Sequence, residues 1–157
     1  SNYLSSTGLS TKASEFAEAG QQEKKLDPVI HGKAVLLENE NGKSFSFGKL
    51  HLSLPGELIP DSPEEVSTVI LVHHKKTPVT NYRMSKRLGG HKSGFQGFMW
   101  SAEVTLINYQ TKTAYHKITF TGTHPGPGGR YGMEQHGLKP LGKVMNWIRS
   151  LPRLNGS

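Results

Sequence analysis

Eight histidines, a run of lysines and arginines interleaved with aromatic residues, and a supply of serines are the side chains from which this chain of 157 residues could build a site. A shared metal ion needs ligands at compatible spacing. His73 and His74 are neighbours, so on a strand they point to opposite faces and cannot hold one ion together. His91, His124 and His136 stand among glycines, and His116 shares its phase with Ile118 and Phe120. No pair has the His-x3-His spacing of a helical site. For acyl transfer, serine and histidine are available, but no Gly-x-Ser-x-Gly elbow occurs. Gly42-Lys43-Ser44 lacks the glycine-rich lead and the following helix of a phosphate-binding loop. After residue 65 the only acids are Glu103 and Glu134, so a carboxylate pair there would have to borrow from the earlier part of the chain. The reading therefore assigns no catalytic residue, no metal ligand and no cofactor. A hydrolase or metal-dependent enzyme without a recognisable motif is kept as the third reading of function.

Charge points to binding instead. Residues 1–65 carry 6 Lys/Arg against 10 Asp/Glu, whereas residues 66–157 carry 13 Lys/Arg against 2 acids. Such asymmetry favours an anionic partner for the later part of the chain. Lys75, Lys76, Arg83, Lys86, Arg87 and Lys92 fall in one stretch that Phe95, Phe98 and Trp100 follow, and a second glycine-rich stretch carries Arg130 and Tyr131. Cations can hold phosphates and aromatic faces can stack on bases, so these two stretches contain the minimal parts of a single-strand binder. The candidate binding residues are Lys75, Lys76, Arg83, Lys86, Arg87, Lys92, Trp100, Arg130 and Tyr131. The leading expectation is a non-catalytic module acting through protein–protein contact, including self-association as a homo-oligomer. In that reading an acidic N-terminal arm meets the basic loops of another copy, or an exposed sheet edge accepts a strand. Nucleic acid or another anionic polymer, held by the basic Gly-rich loops, is the alternative partner.

The elements that must position these residues are legible from periodicity. Residues 101–122 read as a hairpin, with Ala102, Val104 and Leu106 in one phase and His116, Ile118 and Phe120 in another such run. Residues 29–37 and 43–54 read as a second hairpin turning at Asn41-Gly42, with a bulge near Gly48 where the apolar phase changes. The run 68–72, Thr-Val-Ile-Leu-Val, reads as a central strand buried on both faces. Residues 79–84 suit an edge strand because Pro78 precedes them, and residues 125–137 read as an irregular loop. Leu138, Leu141, Val144, Met145, Ile148 and Leu151 recur at helical spacing. Together these predict an α+β fold: a mostly antiparallel sheet of five to six strands with a C-terminal amphipathic helix packed on one face.

Residues 1–27 are set apart as an N-terminal arm or flexible segment, in which a short helix starts at Ser10 or Thr11 and is stopped by Asp27-Pro28. Residues 28–157 form one α+β domain. Cysteine is absent, which excludes disulfides, thiolate metal sites and a cysteine nucleophile. No apolar run approaches the ~18 residues of a membrane-spanning helix. A chain that opens on Ser1 and contains no cysteine suits an extracytoplasmic location, periplasmic or secreted.

Overall fold

In the computed structural model, which describes residues 2–79, 96–126 and 134–155, two short helices lead into a run of strands. The helices are α1 (Asn2–Thr7) and α2 (Ala13–Ala17), and the strands β1 (Gln22–Glu23), β2 (Ile30–His31), β3 (Lys33–Glu40) and β4 (Ser46–Phe47). After α3 (Lys49–Leu52) come β5 (Val66–Val79), β6 (Gln96–Asn108), β7 (Thr113–Thr121) and β8 (Glu134–His136), then α4 (Leu141–Ser150) and β9 (Arg153–Leu154). Seven strands form one sheet in the order β1-β7-β6-β5-β3-β4, with β8 beside β6, while β2 and β9 form a separate pair.

The hairpin at residues 101–122 is β6 with β7, Ala102 opposite Phe120 and Val104 opposite Ile118. Asn108 turns it: its Oδ1 accepts from the N–H groups of Gln110 (3.0 Å) and Thr111 (3.2 Å). The run 68–72 lies in β5, flanked by β6 and β3, and both faces are covered, with Val69, Ile70 and Val72 fully buried. Pro78 is tolerated within β5 because β3 ends opposite His74, leaving the strand with β6 alone. Phe98, its partner, turns its carbonyl to the Gly137 N–H (2.9 Å), so the Pro78 nitrogen points out of the ladder. The edge strand expected at residues 79–84 falls, after Val79, outside the described residues.

The sheet is mixed rather than mostly antiparallel, and it has seven strands rather than five to six. The reason lies in residues 43–54. Asn41 (φ 43°) and Gly42 (φ 82°) make the expected turn, but the returning strand β4 pairs only Ser46 and Phe47 with β3. At Gly48 the chain leaves the sheet for α3. Leu50 and Leu54, one helical turn apart, are buried, whereas Leu52 is 54% exposed; a strand would have put all three on one face. The chain then crosses over and re-enters as β5, parallel to β3. The β1–β7 and β6–β8 pairs are parallel as well. Likewise, the loop expected at residues 125–137 ends in the short strand β8.

Two apolar layers cover the sheet. On one face, Leu50, Leu54 and Leu58 from the crossover and Val144, Met145, Ile148 and Leu151 from α4 and the residue after it pack on Ala34, Leu36, Ile70, Val104 and Leu106. The C-terminal amphipathic helix is thus present. Leu138 is 71% exposed and Leu141 38% exposed, so helical burial begins at Val144. On the opposite face, Leu9, Phe16 and Ala19 pack on Val35, Leu37, Val69, Leu71 and Ile107. Residues 2–27, set apart in the sequence as an arm, therefore lie against the chain's own sheet. Phe16 is fully buried, edge-on to Phe47 and Tyr109, and its burial stabilises the fold by about 2–3 kcal/mol. The helix expected from Ser10 or Thr11 begins with a 3-10 turn (Ser10–Lys12) and ends at Ala17, before Gly20, and α1 was not foreseen.

Candidate binding site at the loop-bearing end of the sheet

Strand β5 keeps one phase from Val72 through His74 to Lys76 while its chemistry changes from apolar to polar. The same change occurs on β3, where Leu36 is followed in phase by Glu38 and Glu40, and on β6, where Ala102 is preceded by Trp100 and Phe98. The register sets Glu40 beside His74 and Lys76 opposite Trp100. One end of this face is therefore built from charged and aromatic side chains.

Glu38 is its hub. Its Oε1 lies 2.9 Å from His74 Nε2, and its Oε2 accepts from the Leu50 N–H in the first turn of α3 (3.3 Å). Gly48 makes this approach feasible, because a Cβ there would stand 2.5 Å from Oε2. His74 is 1% exposed, and its Nδ1 is buried without a partner. A carboxylate–imidazole pair is a general-base arrangement when the free nitrogen can reach a substrate. Here that nitrogen is enclosed, and the pair ties β3, β5 and α3 together. Beside it opens a cleft of about 270 Å³ lined by Glu38, Glu40, Lys43, Ser44 and His74 among others.

Further out, Lys139 pairs with Glu40 and stands 4.6 Å above the Trp100 ring. The Lys139 ammonium, donating to Glu40, holds that carboxyl below the usual carboxylate range. Lys76 lies 4.4 Å over the Phe98 ring and 3.7 Å from Glu134, which also meets His136 Nε2 at 3.0 Å. His136 stacks on Phe98 and Trp100, with ring centroids 5.3 and 6.3 Å apart. Cation, ring and carboxylate alternate across the end of the core.

Of the residues singled out in the sequence, Lys76 and Trp100 come together here, and Lys75 is exposed on the opposite face of β5. Arg83, Lys86, Arg87, Lys92, Arg130 and Tyr131 lie outside the described residues. The two stretches that hold them nevertheless have a common origin. Gln96, where one ends, pairs in register with Glu134, where the other ends, and Gly97 pairs with both Val79 and Gln135. Sequence reasoning passed over Glu38, Glu40, His136 and Lys139. Glu38 and Glu40 carried a signal, being charged residues in phase with Leu36; Lys139 and His136 carried none.

The other histidines are dispersed. His73, on the opposite face from His74, bonds Asn39 Oδ1 through Nδ1 (2.6 Å), and His116 stacks on Trp147 with its Nδ1 3.1 Å from the Leu26 carbonyl. His51 is fully buried at the β3 edge, and burial lowers its pKa to about 4. Among the described residues no group of three His, Asp or Glu is placed to hold a metal ion. No helix among them is long and apolar enough to cross a membrane. Comparison with protein-family models, with curated proteins and with solved structures finds no match to this chain.

Proposed function

We propose that this protein is a binding module that holds an anionic polymer, single-stranded nucleic acid foremost, at the end of the sheet where both basic stretches begin and end. The observation that carries the reading is the Gln96–Glu134 pairing, which brings the ends of segments 80–95 and 127–133 to adjacent strands. Those segments contain Arg83, Lys86, Arg87, Lys92 and Arg130 and no acid, together with Tyr82, Phe95 and Tyr131. Lys75 adds an exposed cation to the strand that leads into the first of them. Cations for phosphates and rings for stacking are what sequence-tolerant binding of a single strand requires. The acidic N-terminal segment supports this reading over an arm that reaches a second copy, since Leu9, Phe16 and Ala19 engage it on its own sheet.

Titration of a fluorescent single-stranded oligonucleotide at 50 and 200 mM salt tests the proposal. With four phosphate contacts, affinity falls about 50-fold between the two conditions. Replacing Arg83, Lys86, Arg87 and Lys92 together by Gln abolishes most of the binding and flattens the salt slope. Absence of binding at low salt to oligonucleotide and heparin alike, or binding that the fourfold variant leaves unchanged, overturns the reading.

A further inference from the structure

Among the described residues, the outer edge of β7 is covered along only part of its length. Residues 21–26 run beside its beginning: β1 pairs with Thr113 and Ala114, Lys24 N–H donates to the Ala114 carbonyl (3.0 Å) and Leu26 N–H to the Tyr115 carbonyl (2.7 Å). There the covering ends. Beyond the strand, Gly122 donates to the Trp100 carbonyl (2.7 Å) and Thr123 to the Leu138 carbonyl (3.2 Å), so the chain turns away. The Gly122–Trp100 bond also fixes the phase of the ladder. Because hydrogen-bonded and non-hydrogen-bonded pairs alternate, His116, Ile118 and Phe120 turn their main-chain groups to β6, and Lys117, Thr119 and Thr121 turn theirs outward. Among the described residues the one group meeting these outward atoms is Lys143 Nζ, on the Thr121 carbonyl (2.8 Å).

An unpaired row of main-chain donors and acceptors is a template for another strand, and this row is self-complementary. We infer that two copies of this chain pair edge to edge along residues 117–121, antiparallel about a two-fold axis at Thr119. In that register Thr119 meets Thr119 of the second copy and both N–H···O bonds are exchanged. Lys117 meets Thr121 on either side, adding four more main-chain bonds, with the Thr121 carbonyl using its second lone pair. Ile118 faces Phe120, a β-branched residue against an aromatic, which is among the favourable cross-strand pairs. Both are only partly buried within one copy, at the margin of the core beside Trp147. No like charges stand opposite each other, since Lys117 is the only charged residue in the window. The window also fits in length. The Leu26 end of the covering strand bounds one side and the turn at Gly122 the other, so five residues of each copy meet before either chain is obstructed. This interface ends at Thr121, opposite Ser101 and next to the loop-bearing end, and its argument does not depend on the function proposed for that end.

The full chain contains no cysteine, which makes single-cysteine cross-linking unambiguous. A hydrogen-bonded antiparallel pair has Cα atoms about 5.5 Å apart, within disulfide range. Thr119→Cys under mild oxidation therefore yields a covalent species of twice 17.3 kDa. Lys117→Cys alone yields none, because its two copies lie four pairs apart, whereas Lys117→Cys with Thr121→Cys restores the product. In sedimentation the unmodified chain runs as a dimer that Thr119→Lys converts to a monomer with an unchanged far-ultraviolet circular-dichroism spectrum, the side chain being exposed. A monomer up to millimolar concentration, or cross-linking of Lys117→Cys as efficient as that of Thr119→Cys, overturns the inference.

Discussion

Along β3, the outer main chain is closed by β4 at Leu37 and Glu38 and, one residue earlier, by an imidazole: the Leu36 N–H donates to His51 Nδ1 at 3.1 Å. Along β7, the closing agent among the described residues is main chain as far as Tyr115, and after that a single lysine. The difference is one of commitment. At the β3 edge a side chain from α3 is buried between Tyr3 and Phe47 for one hydrogen bond, and it must stay neutral to accept it. Its Nε2 then carries the proton and faces the Tyr3 hydroxyl at 3.4 Å, which in turn donates to the Pro60 carbonyl. Edges left flat and unpaired invite association. Among the described residues one edge is sealed with buried polar chemistry and five residues of the other are left uncovered, and the pairing inferred above would use the second.

Removing the seal has the largest expected effect. His51→Ala opens a cavity at a fully buried site and leaves the Leu36 N–H without an acceptor. The cavity and the unsatisfied donor together cost about 3–5 kcal/mol, read as a lower urea midpoint. Thr119→Ala, at the uncovered edge, changes the monomer's stability by no more than about 0.5 kcal/mol.

Protonating the seal comes next. Burial depresses the His51 pKa from 6.5 to about 4. The unfolded chain therefore binds the proton first, and stability rises with pH across that window. The contribution is complete above pH 6.5 and is lost as pH falls towards 4, a change on the order of 3 kcal/mol. Denaturation midpoints from pH 7 to 4 should show this slope in the unmodified chain. It should be shallower in His51→Asn, whose amide oxygen accepts without titrating.

How much of this contrast was legible before any coordinates depended on whether the signal was local. The hairpin at residues 101–122 announces itself because its alternation and its turn are both contained within twenty residues. The strand at 68–72 does so because burial on both faces removes alternation altogether. The departure at Gly48 was misread because Leu50, Leu52 and Leu54 recur at the strand period, although Leu50 and Leu54 alone also suit one helical turn; Leu50 is buried in the core and His51 accepts from the Leu36 N–H of β3. Residues 2–27 read as an arm because Leu9, Phe16 and Ala19, with Tyr3, Leu4 and Ala13 partly buried beside them, meet the sheet without a regular period. Gly122 read only as the end of the hairpin and Gly137 as part of an irregular loop. In fact a Cβ at either would stand within about 2 Å of a carbonyl oxygen, Leu138 or Thr123, so they let the chain cross itself after β7 and β8. At the candidate site, the clustering of Lys76, Trp100, Glu40 and Lys139 joins residues up to 99 positions apart, beyond anything spacing can reveal.

A smaller effect is expected at the hinge between the seal and the candidate site. Gly48→Ala places a Cβ 2.5 Å from Glu38 Oε2, so the carboxylate must give way. It then loses the Leu50 N–H, the bond that holds the first turn of α3 and with it His51. About 1–3 kcal/mol is the expected loss. A double-mutant cycle with Glu38→Gln checks the route: if the carboxylate carries the effect, the two costs add to less than their sum.

The smallest effect belongs to the uncovered edge, and it separates folding from pairing. Lys143 reaches from α4 to the outward carbonyl of Thr121, an exposed contact that leaves the fold nearly indifferent to it. Lys143→Met removes that donor and keeps the length of the side chain, so the melting temperature should stay within a degree or two, as for other exposed changes within about 0.5 kcal/mol. The carbonyl it leaves is free to accept from a second strand alone. A main-chain donor and the lysine compete for the same oxygen, even though two lone pairs let both be accommodated. Lys143→Met should therefore leave dimerisation equal or modestly tighter. A dimer weakened tenfold or more by this substitution would mean that α4, rather than the β7 main chain, makes the contact, and the two edges would then differ in a way that pairing along residues 117–121 does not explain.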